Sequence, residues 1–158
     1  DIRVQGTPAY VASDSPTGGK KVYIEMGVPA SASAQDTTCA ANAVLNKVKD
    51  ASILAIFCSN EATVKGLLAA TNDGADLPRS YPGLVVVGYD AGEGQKNAVR
   101  KKYFLGSITQ DPYSIGYKAV ELAYQAYKGN PVSDVDTGAK FYDSTNMDNA
   151  DIKGLLYD

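Results

Sequence analysis

Three polar side chains close apolar runs in this sequence. Asn60 follows Ile53-Leu54-Ala55-Ile56-Phe57-Cys58-Ser59, Asp90 ends Leu84-Val85-Val86-Val87-Gly88-Tyr89, and Gln110 ends Gly106-Ser107-Ile108-Thr109. A carboxylate accepts hydrogen bonds at two oxygens, and an amide accepts and donates side by side. Groups of this kind match the vicinal hydroxyls of a sugar. A hydrogen bond to a charged group contributes about 1.5–3 kcal/mol, and leaving such a group buried and unpaired is costly. A site built this way rejects ligands that lack the hydroxyl. A loop of small residues, Gly27-Val28-Pro29-Ala30-Ser31-Ala32-Ser33, leads to Gln35 and Asp36 and adds polar groups at a fourth place. The candidate ligand-binding residues are Asn60, Asp90, Gln110, Asp36 and Gln35. Eleven tyrosines and three phenylalanines can supply stacking faces.

Each candidate also has a plainer reading. An Asp or Asn after a strand commonly caps the next helix. Asp90 fits a segment starting at Gly92, and Asn60 fits one starting at Glu61. Gln110 is a poorer cap. If Asp90 contacts ligand, Asp90→Ala removes sugar binding and changes stability little; if it is a cap, the fold suffers instead.

What is missing narrows the chemistry. The chain has no histidine, which excludes a Ser-His-Asp triad, a Cys-His pair and the usual His-based zinc sites. It has no CxxC, and Gly92-Glu93-Gly94 lacks the third glycine of a dinucleotide fingerprint. No catalytic residue, cofactor or metal site is assigned, and an enzyme is not expected. Cys39 and Cys58 can either pair in an oxidising compartment or sit as small buried hydrophobes. A net charge of −3 and a pI near 4.9 argue against a nucleic-acid partner, which needs a basic face. No apolar run is long enough to cross a bilayer, and Asp1-Ile2-Arg3-Val4 lacks the plan of a signal peptide.

The candidates must be positioned by alternating strands and helices. Strands are predicted at Val22–Met26, Ile53–Phe57, Leu84–Tyr89, Tyr103–Thr109 and around Lys140-Phe141-Tyr142. Helices are predicted over Ala34–Lys49, from Glu61 to about Thr71, over Gly92–Lys102, and from Asp111-Pro112 to a stop at Gly129-Asn130-Pro131. Such alternation implies βαβ units, a mostly parallel sheet and helices on both faces. Continuous apolar runs such as Leu84–Val87 suggest strands buried on both sides. In open parallel sheets, ligands bind outside the carboxyl ends of the strands, which is where Asn60, Asp90 and Gln110 fall. Two stretches read against this order, and one is the join Lys49-Asp50-Ala51-Ser52, which links helix to strand but offers no further strand before Ile53. In the other, Val11-Ala12-Ser13-Asp14-Ser15-Pro16 announces a helix, yet Thr17-Gly18-Gly19-Lys20 and a strand follow at once.

The blocks Ile53–Glu61, Leu84–Asp90 and Gly106–Pro112, in this order and spacing, resemble the C-terminal part of sugar-binding proteins of bacterial ABC transporters, the ribose-binding type of periplasmic binding protein. The resemblance implies a type I periplasmic-binding-protein lobe of flavodoxin-like order. It implies an inter-lobe crossing over residues 1–21, a ligand-binding lobe over 22–110, and a helix and tail returning between lobes over 111–158. It further implies that Asn60, Asp90 and Gln110 contact sugar hydroxyls. The partners would be a pentose, hexose or related furanose and a membrane permease. The location would be extracytoplasmic, with the membrane reached through the permease or a lipid anchor. The family often carries an Arg near the position of Gln35-Asp36-Thr37, and none stands here. The chain is about half the family's length, with most of the N-terminal lobe absent. The alternative is the effector domain of a LacI-like transcription regulator without its DNA-binding part.

Overall fold

The computed structural model describes residues 26–50 and 55–157, together with three two-residue strands nearer the start. Those strands are β1 (Arg3–Val4), β2 (Thr7–Pro8) and β3 (Tyr23–Ile24), in a sheet of order β2-β1-β3. Of the strand expected over Val22–Met26, Tyr23–Ile24 is described as strand. The helix cue at Val11–Pro16, the start of the strand expected at Ile53, and most of the expected crossing segment lie outside the described residues.

The main sheet has the order β4-β5-β6-β7, formed by Ala55–Phe57, Val85–Tyr89, Gly106–Gln110 and Ala139–Tyr142. β4, β5 and β6 run parallel, and β7 closes the edge antiparallel. This is the mostly parallel α/β lobe expected from the alternation. The helices are α1 (Ala34–Asp50), α2 (Glu61–Ala70), α3 (Leu77–Ser80), α4 (Glu93–Arg100), α5 (Pro112–Tyr127) and α6 (Ala150–Lys153).

Period-2 alternation decides what the sheet buries. In β5, Val86 and Gly88 are buried beneath α2 and α4, whereas Val85 is 40% exposed. The strand is therefore covered more on one side than the other, contrary to the expectation for Leu84–Val87. Register places Phe57, Val87, Ile108 and Phe141 on the other face. There Phe57 packs edge-on against Tyr89, with ring centroids 6.4 Å apart.

The core joins Val64, Leu67 and Leu68 of α2 to Val86, Ala98, Val99, Phe104, Tyr142, Met147 and Ile152. Helix α1 packs on α2, contributing Leu45. The two helices approach closely because Gly66 has no side chain: a Cβ there would lie 2.6 Å from the Thr37 carbonyl. Helix α5 buries no residue, and Tyr113, Tyr117, Val120, Tyr124 and Tyr127 are all exposed. Both cysteines are free thiols; Cys58 is the buried hydrophobe of the second reading, while Cys39 is exposed.

Two elements escaped the sequence reading, and one boundary moved. Pro78 lies in the first turn of α3, where a proline is tolerated. Helix α6 is a single short turn in the tail. The strand expected from Tyr103 begins at Gly106, because Lys102 adopts a left-handed conformation (φ 60°) and turns the chain. Tyr103 N–H then donates to Ala98 O (2.9 Å) and Lys102 N–H to Val99 O (2.9 Å), a Schellman closure of α4 with lysine at the position usually held by glycine.

Candidate functional site

Asn60, Asp90 and Gln110 stand at the carboxyl ends of the adjacent parallel strands β4, β5 and β6. Asn60 is exposed and caps α2: its Oδ1 accepts from Thr63 N–H (2.9 Å), and its own N–H donates to Thr63 Oγ1 (3.3 Å). The capping reading of Asn60 therefore holds.

Asp90 does not cap the helix that follows it. The N-cap of α4 is Gly92, with no side-chain cap bond. Asp90 instead adopts φ 78°, and its Oδ2 accepts from Glu61 N–H across the sheet edge (2.9 Å). It thus binds the first turn of α2, where backbone N–H groups are otherwise unpaired and the helix dipole favours an anion. Its Oδ1 has no hydrogen-bond partner among the described residues.

The backbone of Asp90 is fixed at both ends. Its N–H donates to Ile108 O (2.7 Å). Its carbonyl accepts from Gln95 Nε2 (3.0 Å), Ser107 Oγ (3.0 Å) and the Tyr142 hydroxyl (3.1 Å). Gln95 Nε2 also reaches Tyr89 O (3.1 Å) and Ser107 Oγ. Gln95, Ser107 and Tyr142 are each at most 1% exposed. Burial pushes the Tyr142 phenol up to about 12. Gly88 makes the cluster possible, since a Cβ there would lie 2.5 Å from Gln95 Nε2 and 3.0 Å from Ser107 Oγ. The one available cue was that glycine, because a glycine inside a strand often marks a close approach. Sequence reasoning missed the cluster itself.

Gln110 ends β6 half-buried, opposite Ala139 of β7, and its amide has no partner among the described residues. Asp36 lies in the first turn of α1, where it is bound by its own loop. Ser31 Oγ donates to Asp36 Oδ2 (2.5 Å), Asp36 N–H to Ser33 Oγ (3.1 Å), and Ser33 N–H to Ser31 Oγ (3.2 Å). Gln35 is exposed. Asn60 and Asp90 are joined through Glu61, and Asp90 to β6 through Ile108. No described hydrogen bond joins Gln35 or Asp36 to them.

The tail crosses the same end of the lobe. Lys96 Nζ donates to Tyr157 O (2.6 Å) and Thr109 Oγ1 to Leu155 O (3.0 Å). A cavity of about 200 Å³ lies between α2 and α4, bounded by Val64, Leu68, Gly94 and Gln95; none of Asn60, Asp90 and Gln110 lines it. Among the described residues no group of three His, Cys, Asp or Glu side chains could hold a metal ion, and no helix is long and apolar enough to cross a membrane.

Comparison with known proteins gives a consistent picture. The family model described as a periplasmic binding protein domain matches residues 3–131. No curated protein matches the chain. Among solved structures, one named "ABC transporter, LacI family transcriptional regulator" from Brachyspira murdochii is 40% identical, with a TM-score of 0.71 over 90% of this chain and 46% of that one. An ABC transporter solute-binding protein from Agrobacterium vitis with bound D-fucose is 23% identical, with a TM-score of 0.70 over 85% of this chain and 45% of that one. A carbohydrate transporter solute-binding protein from Agrobacterium radiobacter, in complex with D-arabinose, is also 23% identical, with a TM-score of 0.67 over 87% and 44%. The chain spans less than half the length of each.

Proposed function

The chain belongs to the periplasmic binding protein domain family, and on that footing we propose that it is part of an extracytoplasmic solute-binding protein that takes up a simple sugar for an ABC transporter. The observation that carries this reading is the placement of Asn60, Asp90 and Gln110 at the ends of three adjacent parallel strands. Asp90 suits the task because a backbone N–H holds one carboxylate oxygen and leaves the other to accept from a ligand hydroxyl. Gln110 adds an amide with no partner among the described residues. The solved relatives with D-fucose and D-arabinose support a monosaccharide of this size. A permease would receive the sugar, and the protein would sit in the periplasm or be lipid-anchored at the cell surface. The lobe supplies one side of a two-sided site, so the chain alone should bind weakly.

Titration calorimetry with D-fucose, D-arabinose and D-tagatose tests the reading. Saturable binding of one sugar, weakened at least tenfold by Asp90→Asn, is expected. A folded chain that binds none of them overturns the assignment for this polypeptide. A second reading, the effector domain of a LacI-like regulator, is favoured by the name of the 40% identical structure. A regulator in full-length form would shift operator DNA on a gel, whereas a solute-binding protein would stimulate ATP hydrolysis by its permease complex.

A further inference from the structure

We propose that Gln95, Ser107 and Tyr142 are positioning residues for the ligand-binding carboxylate of Asp90, acting as a buried clamp on its backbone carbonyl. The inference rests on Asp90 being a ligand contact, as proposed above.

Three features of the cluster point to positioning. All three donors converge on one carbonyl oxygen, from α4, β6 and β7. That carbonyl belongs to a residue at φ 78°, a left-handed turn that Asp tolerates better than most side chains and that sets the direction in which the carboxylate leaves the strand. Gln95 Oε1 is left buried without a partner, so the amide is oriented for its donor and not for full satisfaction. With N–H held by Ile108 and C=O held by the clamp, the Asp90 side chain has little freedom beyond its own torsions. The carboxylate is thereby directed at Glu61 N–H. Ser107 and Tyr142 face each other in the β6–β7 register, so the edge strand takes part in setting the site.

The test compares Ser107→Ala, Tyr142→Phe and the double variant with Leu77→Ala. Leu77 is a core residue of α3 that shares no hydrogen bond with the cluster. Two readouts are needed. Hydrogen exchange of the Glu61 amide reports whether the carboxylate still receives that N–H, with no sugar present. Calorimetry with whichever of D-fucose, D-arabinose and D-tagatose binds reports the site. Each lost hydroxyl is expected to speed Glu61 exchange and weaken sugar binding about fivefold, the factor a typical net hydrogen bond represents. Leu77→Ala should lower the melting temperature while leaving sugar affinity below the transition unchanged. Unchanged Glu61 exchange in the double variant overturns the clamp. So does sugar affinity that falls no further than in Leu77→Ala. If the wild-type chain binds none of the sugars, the functional assignment fails, and Glu61 exchange alone decides the clamp.

Discussion

Replacing Asp90 in turn by asparagine, glycine and alanine separates what its backbone does from what its carboxylate does. At φ 78° an L-residue other than Asn or Asp carries a penalty of about 1–2 kcal/mol. Loss of the bond from Glu61 N–H resembles removal of a helix cap, about 1 kcal/mol. Alanine incurs both terms and should destabilise by about 2–3 kcal/mol. Glycine loses the cap but relieves the backbone, so it should cost only about 1 kcal/mol. Asparagine tolerates the conformation and keeps an acceptor for Glu61. It gives up only the charge–dipole attraction, about 0.3–1 kcal/mol. Urea denaturation at 25 °C should therefore rank stability as wild type, asparagine, glycine, alanine. An alanine variant as stable as the glycine variant refutes the left-handed assignment. The ranking also revises the expectation that Asp90→Ala changes stability little, because this carboxylate is a cap for α2 as well as a candidate contact.

Four further outcomes are expected. Gly66→Ala should destabilise by about 1–3 kcal/mol, because its Cβ would collide with the Thr37 backbone. Gly116→Ala in α5, where a Cβ meets nothing, should stabilise by up to about 1 kcal/mol; equal effects at the two glycines in chemical denaturation would sink the packing argument. Burial raises the Cys58 thiol to about 12, so iodoacetamide at pH 8 should label exposed Cys39 and spare Cys58 until the chain unfolds, as peptide mass mapping will show. Tyr142 keeps its proton to about 12 in the fold, against an ordinary 10.0. Its contribution to stability is intact below pH 10 and is lost as pH rises through about 12. Absorbance titration at 295 nm should show a late tyrosine that disappears in Tyr142→Phe; no lag in the wild type would contradict the burial.

The fold was readable wherever a local signal agreed with the tertiary outcome. Gly129-Asn130-Pro131 marks the end of α5. Lys102 hid the end of α4 because it takes the turn position without being glycine. The uneven burial of β5 is not legible in Leu84–Val87, because an apolar run does not reveal which neighbours cover each face. At the site, the cap at Asn60 could be read from Asn60-Glu61-Ala62-Thr63, since its partners are local. The partner of Asp90 could not be read, since Glu61 lies 29 residues away and the link depends on a single positive φ. The cluster of Gln95, Ser107 and Tyr142 draws on three elements, and only Gly88 hinted at it.

Helix α5 buries no residue, yet the chain beyond it is firmly attached. β7 pairs with β6 over four residues, Tyr142 is fully buried, and Leu155 and Tyr157 are bound by Thr109 and Lys96. A 16-residue helix with so little packing is marginal in water, so Lys118 and Lys128 should be early sites for trypsin. A cut at either would sever the peptide without releasing the sheet. The product would run as two bands under denaturing conditions and as one species on a native gel. The connection between β6 and β7 is thus a permissive place to open the chain, suited to new termini in a circular permutant or to an inserted reporter domain.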